Sequence, residues 1–295
     1  MARATNNDRG PSTMQIDRDL LDGLARAALA GGREVLAVYA TDFAVDAKGD
    51  ASPVTEADRR AEAVILEELA RLLPGVPVVA EEAASEGKLP ADLGRVFVLV
   101  DPLDGTKEFV SRNGEFTVNI GIIEDGVPVA GAVLVPAQGR LYVGGRGIGA
   151  FMAPVEDGVA GAWAPIRVRA AGADGLAVMA SRSHAGPETE ALLARLAVAS
   201  RISAGSSLKF CRIAEGAADF YPRLGRTMEW DTAASDAVLR AAGGSVVTLD
   251  GQPLAYGKRL QAHDADFANP WFLACGRIDL PAVVAAAAAP ASTGG

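Results

Sequence analysis

The sequence predicts a mixed α/β or α+β protein that is built in two halves. In several segments apolar residues recur every three or four positions, which is typical of amphipathic helices. Short apolar runs alternate with these segments and are typical of buried strands. An Asp-Gly step joins two of the runs and indicates a β-hairpin, so the sheets cannot be wholly parallel.

Composition narrows the class of protein. The chain has 295 residues, of which 49% are hydrophobic and 22% charged, so it is long and apolar enough to fold around a core. A formal charge of −9 argues against a nucleic-acid polymer as partner, because such partners need a basic face. No apolar run reaches the ~18 residues of a membrane span. Two cysteines make no disulfide framework, so a cytoplasmic location is expected.

The first half is predicted to contain two helices followed by strands. Residues 20–39 and 53–73 each carry apolar side chains along one helical face. Thr55, with Asp58 three residues later, is predicted to cap the second helix. The predicted strands are 76–80, 96–100, 117–123, 127–135 and 141–143.

The second half begins near residue 166 and alternates strands with helices in the same way. Its predicted strands are 177–180, 201–203, 219–222 and 245–249, and its predicted helices are 189–199, 208–215 and 232–242. The polar start and the Ala-rich end of the chain are expected to lack fixed structure. The predicted organisation is therefore a disordered leader (1–15), an N-terminal half (16–165), a C-terminal half (166–276) and a flexible tail (277–295).

The most informative stretch places two carboxylates, Asp101 and Asp104, directly after a buried strand, with Gly105 and Thr106 next. Two such charges repel by roughly 4 kcal/mol at about 4 Å, so a cation between them or a proton on one is needed. Hard oxygen ligands suit Mg²⁺, and the amides after Gly105 suit a phosphate. Because Asp, Pro and Gly are also turn formers, a plain surface turn is the alternative.

Three further acidic residues are candidates for the same site. Glu81 follows strand 76–80, Asp231 precedes helix 232–242, and Asp58 lies near the start of helix 53–73. Glu81 is adjacent to another glutamate, and only one of two neighbours on a strand can face a given site. The structural alternatives are a solvated acidic loop for Glu81, a helix N-cap for Asp231, and a favourable helix-dipole interaction for Asp58.

Basic and hydroxyl side chains near predicted strand ends indicate an anion pocket. Ser206 and Lys209 lie where strand 201–203 gives way to a helix, and Arg223 follows strand 219–222. The alternatives are a capped helix with an exposed lysine and a solvated surface arginine. His184 is one of two histidines, and a lone histidine is more often structural or at the surface than functional.

Three segments in this order resemble the motifs of one family: Glu81-Glu82, the run DPLDGT at 101–106, and the run WDTAA at 230–234. They resemble the Mg²⁺-dependent, lithium-sensitive phosphatases related to inositol monophosphatase, and the resemblance spans about residues 20–275. The closest branch is that of the bacterial 3′(2′),5′-bisphosphate nucleotidases. The segments that favour this branch are 104–109, 112–120, 181–184, 205–211 and 221–223. Ser235 is a departure, since relatives commonly carry Gly there.

The resemblance implies a layered α/β/α/β/α sandwich with two mixed sheets. It implies hydrolysis of the 3′-phosphate of 3′-phosphoadenosine 5′-phosphate, a step linked to sulfate assimilation, with two or three Mg²⁺ ions. It implies a nucleotide bisphosphate as partner and a monomer or homodimer, and it leaves peripheral association with the inner membrane open. The alternatives are an inositol- or sugar-phosphate phosphatase of the same superfamily and a non-catalytic regulator that binds metal or nucleotide.

The resemblance also implies a role for each candidate residue. Thr106, oriented by Asp58, is expected to help activate the attacking water beside Glu81. The implied metal ligands are Glu81, Asp101, Asp104, Asp231 and the carbonyl of Leu103. The implied substrate contacts are Gly105, Thr106, Ser206, Lys209, Arg223, Asp231 and His184.

Overall fold

The computed structural model describes residues 13–41, 53–181 and 186–288. The helices are α1 (Arg18–Tyr39), α2 (Pro53–Leu72), α3 (Glu81–Ser85), α4 (Thr106–Val110), α5 (Pro187–Leu193), α6 (Leu208–Ala214), α7 (Ala233–Ala241) and α8 (Leu280–Ala288). The strands are β1 (Val78–Ala80), β2 (Val96–Asp104), β3 (Thr117–Glu124), β4 (Val127–Val135), β5 (Arg140–Gly145), β6 (Gly149–Glu156), β7 (Val159–Ala160), β8 (Ala164–Ile166), β9 (Leu176–Ser181), β10 (Val198–Ala204), β11 (Phe220–Arg223), β12 (Ser245–Thr248) and β13 (Phe272–Cys275).

The strands form two mixed sheets, as predicted. The first has the order β1-β2-β3-β4-β5-β6-β7, with β8 also paired to β6. Its β1 and β2 are parallel and its other pairs antiparallel, including the β3–β4 hairpin at the Asp-Gly step. The second sheet has the order β10-β9-β11-β13-β12, with both parallel and antiparallel pairs.

Helices cover the sheets so that five layers result. Helices α1 and α2 pack on one face of the first sheet, and α7 packs on its other face, where α6 also contacts β4. The same α6 and α7 contact the second sheet, and residues of α5 and α8 pack on its far side. The α/β/α/β/α sandwich is therefore confirmed. Within the described residues, no helix has the length and apolarity that crossing a membrane requires.

Several sequence predictions differ from the structure in their limits. The predicted helix 189–199 ends at Leu193, because Val198 pairs with Leu176 and continues as β10. Thr55 lies inside the first turn of α2, which begins at Pro53, so Thr55 is not the predicted N-cap. The strands β6, β7, β8 and β13 and the short helices α3 and α4 were not predicted.

The two ends of the chain are more ordered than the sequence suggested. The prediction of a flexible tail from residue 277 is wrong over α8, where Val283 is buried against the second sheet. In the predicted leader, the Met14 amide donates to Glu124 (2.6 Å) and the Met14 side chain packs on the first core. Residues 1–12 and 289–295 lie outside the described residues. The boundary between the two halves stays a prediction.

A lane of three glycines brings α7 into backbone contact with the first sheet. Gly121, Gly131 and Gly144 are neighbours in register across β3, β4 and β5. A Cβ at Gly131 would lie 2.3 Å from the carbonyl oxygen of Ala234, and one at Gly144 would lie 2.8 Å from the Cα of Val238. Side chains at these positions would push α7, and the segment that precedes it, away from the sheet.

We expect Gly131→Ala to lower the free energy of unfolding by about 2 kcal/mol, because α7 has no room to accept the added methyl group. A thermal melt should show a fall in Tm of roughly 5 °C. Gly172→Ala is the control, since a Cβ there meets nothing within 4 Å. Equal Tm values for the two variants would contradict this account of α7.

Candidate active site

A bulge in β2 re-aims the two aspartates of the DPLDGT run. Asp101 pairs with Asn119 and Asp104 with Thr117, so β2 advances three residues where β3 advances two. In a regular strand, residues three apart point to opposite faces. The extra residue removes that alternation, and the two carboxylates are close enough for Asp104 to raise the pKa of Asp101. The surface turn considered from sequence is therefore wrong, since Asp101 is 1% exposed.

Glu81 joins Asp101 because their strands run side by side. Strands β1 and β2 are parallel, and Ala80 pairs with Val100, so the next residue of each strand emerges at the same level. The Glu81 and Asp101 carboxyl groups lie close enough for each to affect the pKa of the other. The neighbouring Glu82 lies 4.0 Å from the Arg59 guanidinium instead, so one glutamate of the pair faces the site.

Asp231 reaches the same cluster from the other half of the chain. Its Oδ2 accepts a hydrogen bond from the backbone N–H of Met228 (2.9 Å). Thr232 is the N-cap residue of α7, so the interpretation of Asp231 as the helix cap is wrong. Because the three glycines let α7 pack directly on the first sheet, they also fix how far Asp231, just before α7, lies from that sheet.

The carboxylates raise one another's pKa values. Burial, reinforced by Glu81, raises the pKa of Asp58 to about 9. Burial also raises the pKa of Glu81 to about 7, and Asp104 adds to that rise. The pKa values of Asp101 and Asp231 lie well above the ordinary range, because burial is joined by neighbouring carboxylates. Burial raises the pKa of Asp104 too, although the Lys209 ammonium and the Ser207 N–H oppose the rise.

The donor set fits a hard divalent cation. The four carboxylates, with the Leu103 carbonyl beside them in β2, offer the oxygen atoms that Mg²⁺ prefers. Asp101 is buried and the other three are half-buried, so their charges need positive charge nearby. Among the described residues, no three His, Cys, Asp or Glu side chains are arranged as ligands of a single ion. A proton shared between two neighbouring carboxyl groups is the other way to relieve the repulsion.

A cleft of about 220 Å³ opens beside Asp104 and Asp231. One wall of the cleft begins at Gly105, whose left-handed φ of 98° lets the chain turn from β2 into α4. The exposed Thr106 follows. Helix α4 contacts α2, which carries Asp58. The other lining residues are Lys107, Glu108, Ser206, Ser207, Lys209, Phe210, Tyr221, Arg223, Thr227, Thr232 and Phe272.

Ser206 and Lys209 are both at the cleft, but their polar atoms are engaged by the protein. The Ser206 hydroxyl donates to the carbonyl of Glu115 (2.6 Å), at a left-handed φ of 45°. The Lys209 ammonium is buried and donates to the carbonyls of Ser206 (2.6 Å) and Ala204 (3.4 Å). Burial lowers the pKa of Lys209 to about 8. The lysine therefore shapes the loop before α6, and the exposed lysine considered from sequence is wrong.

Arg223 is one of the basic residues that line the cleft, with Lys107 and Lys209. Its Nη2 donates to the carbonyl of Arg226 (2.9 Å). Its Nε is buried, and no hydrogen-bond partner for it is found in the described part of the chain. A buried donor of this kind ordinarily has an acceptor, and the Arg223 side chain lines the cleft.

The groups that bind the Asp104 carboxylate were not predicted from the sequence. The backbone N–H of Ser207 donates to Asp104 Oδ2 (2.6 Å), and the Thr117 hydroxyl lies 3.4 Å from the same oxygen. The Ser207 hydroxyl donates to Asn119 Oδ1 (2.7 Å). Thr117 and Asn119 alternate on an otherwise apolar strand, and this pattern was a signal that one end of β3 faces a polar site. His184 lies outside the described residues.

Comparisons with known proteins agree with this geometry. The model of the inositol monophosphatase family matches residues 17–275. The 3′(2′),5′-bisphosphate nucleotidase CysQ of Escherichia coli (strain K12) is 42% identical over 255 residues, which cover 86% of this chain and 98% of that relative. The crystal structure of CysQ from Bacteroides thetaiotaomicron, a bacterial member of the inositol monophosphatase family, superposes with a TM-score of 0.73 at 36% identity, covering 88% and 98% of the two chains.

The chain is also similar in structure to another member of the family. The inositol monophosphatase from Anabaena (Nostoc) sp. PCC 7120 gives a TM-score of 0.70 at 26% identity and covers 94% of this chain and 98% of its own. The family match extends over most of the chain and includes every carboxylate of the cluster. The chain therefore belongs to the inositol monophosphatase family, as its motifs predicted.

Proposed function

We propose that this protein is a Mg²⁺-dependent 3′(2′),5′-bisphosphate nucleotidase that converts 3′-phosphoadenosine 5′-phosphate to AMP and phosphate. The observation that carries the proposal is the meeting of two unlike surfaces: the carboxylates of Asp104 and Asp231, with the buried Asp101 beside Asp104, and the basic side chain of Arg223 in the wall of the same cleft. Relatives named as CysQ bisphosphate nucleotidases, at 42% identity, support this branch of the family. The cytoplasmic location, the monomer or homodimer and the two or three ions stay predictions.

The proposed metal ligands are Glu81, Asp101, Asp104, Asp231 and the Leu103 carbonyl. When bound, the ions supply a nucleophilic water at neutral pH and neutralise charge on the attacking and leaving oxygens. Thr106 would accept a proton from the attacking water while its own hydroxyl proton goes to Asp58, since a hydroxyl alone is a poor base. Burial of Asp58 among other acids makes it a ready proton acceptor only when the site also holds positive charge.

The substrate side follows from the cleft. The amides of Gly105 and Thr106 hold the scissile phosphate at the turn into α4, and Asp231 faces the sugar side of the cleft. Arg223 binds the second phosphate in a fork. Ser206 and Lys209 keep the opposing loop in place, and His184 stays a predicted contact. An overall charge of −9 repels a substrate with about four negative charges, so this local positive charge has to capture it.

We expect strong, Mg²⁺-dependent and lithium-sensitive phosphate release from 3′-phosphoadenosine 5′-phosphate, and far less from inositol 1-phosphate or fructose 1,6-bisphosphate. Asp104→Asn should remove at least about 99% of turnover, because it takes a charge from the metal site. Asp125→Asn, at an exposed ion pair with Arg95, should keep full activity. Preference for a sugar or inositol phosphate would overturn the nucleotide assignment, and full activity of Asp104→Asn would overturn the metal site.

We expect Arg223→Ala to raise KM for the bisphosphate by roughly tenfold or more, because a charge-assisted phosphate contact contributes about 1.5–3 kcal/mol. The kcat should change little, since this arginine is proposed to hold the non-reacting phosphate. Arg226→Ala is the control, because its side chain pairs with Asp264 at the surface. An unchanged KM in Arg223→Ala would remove this residue from the substrate site.

We expect the protein in EDTA to be less stable at pH 7.5 than at pH 5, by roughly 5 °C in Tm. The raised pKa values of Asp58 and Glu81 mean that the folded state holds protons that the unfolded state has released. The free energy of unfolding therefore falls as pH rises from about 4 toward these pKa values. Mg²⁺ should shrink the difference, because it replaces the protons. A Tm that rises over this range in EDTA would contradict the clustered acids.

A further inference from the structure

One buried carboxylate outside the proposed ligand set is bound to the segment that carries Glu81. Glu62 lies on α2, one turn after Asp58, and is 7% exposed. Its Oε2 accepts a hydrogen bond from the backbone N–H of Glu82 (2.9 Å), and its Oε1 accepts one from the N–H of Ala83 (3.1 Å). These N–H groups belong to the first turn of α3, where a helix offers them no internal partner.

The two hydrogen bonds fix Glu81 from its C-terminal side. On the N-terminal side, Ala80 is already fixed in β1 by its pairing with Val100. Glu81 is the first residue of α3, so its backbone is held by a strand pair before it and by Glu62 after it. The same Glu62 lies on the helix that carries Asp58, so one side chain ties two parts of the proposed active site together.

The charge on Glu62 needs an explanation beyond capping. An uncharged Gln also has an acceptor oxygen with two lone pairs and could cap the turn, whereas a carboxylate gives each of the two N–H groups an oxygen of its own. The Glu62 carboxylate lies among other acids, including Glu82 and Glu86, which oppose its charge. Within the described residues no lysine or arginine forms an ion pair with Glu62. The structure therefore keeps a costly buried charge where it controls the backbone at Glu81.

We propose that Glu62 is a positioning residue that sets Glu81 for metal binding by closing the first turn of α3. The inference rests on the proposed function, in which Glu81 is a metal ligand. Replacing a residue that hydrogen-bonds to a metal ligand and orients it commonly lowers metal affinity or activity by about 10- to 100-fold. Glu62 is remote from the nucleotide side of the cleft, because it does not line the cavity that contains Arg223.

The test compares Glu62→Gln with wild type and with Glu67→Gln, a change at an exposed glutamate of the same helix. Tm is measured against Mg²⁺ concentration without substrate, and kcat and KM are measured separately. We expect Glu62→Gln to need roughly tenfold more Mg²⁺ for half of the Tm rise and to lose about tenfold in kcat, with KM for the nucleotide within about twofold of wild type. Glu67→Gln should match wild type throughout.

Glu62→Asp is a second test of the same contact, because it keeps the charge but shortens the side chain by one methylene group. The same loss in both variants would support a contact role, and the Asp variant replaces the Gln variant if the latter does not fold. A lower Tm with unchanged Mg²⁺ response and kcat would overturn the inference and leave Glu62 as a helix cap alone. A wild-type Tm that ignores Mg²⁺ would overturn the proposed function and the inference with it.

Discussion

Repulsion among buried carboxylates is the constraint on which the rest of the structure depends. Glu81, Asp101, Asp104 and Asp231 come from three separate segments, and Glu81, Asp104 and Asp231 each raise the pKa of at least one other member of the set. Stability alone would favour keeping such carboxylates apart or having apolar residues in their place. Their convergence makes sense when the free energy of binding a divalent cation compensates the repulsion, and the fold supplies rigid elements that hold the ligands together until the ion binds.

Different backbone devices bring these side chains together. The parallel pairing of β1 and β2 sets Glu81 beside Asp101, and the bulge in β2 turns Asp104 to the same region. The three glycines let α7 pack directly on the first sheet, so the segment just before α7 places Asp231 close to the other carboxylates. We expect a change in any of these features to move a carboxylate out of the arrangement that the proposed metal site needs.

The sequence predicted the reactive residues better than the parts that hold them. The DPLDGT run and Asp231 were recognisable because chemistry restricts the residue types, and the hairpin because an Asp-Gly turn has a local cause. Ser207 and Glu62 were not recognised, because their partners are 103 and 20 residues away. The helix expected over 189–199 failed for a related reason: pairing between β9 and β10 overrode a local helical pattern.

The loop before α6 joins the carboxylate cluster, the proposed metal site, to the cleft, the proposed substrate site. The Ser207 N–H holds Asp104, while the Ser206 hydroxyl and the Gly205 N–H bind Glu115 in the other half of the chain. Lys209 donates to carbonyls within the same loop, so its charge stabilises the loop and lies close enough to lower the pKa of Asp104. One buried lysine thus acts on both sides at once. Because that ammonium already donates to backbone carbonyls, the proposed function assigns the discrimination between substrates to Arg223, whose buried Nε lacks a partner within the described residues.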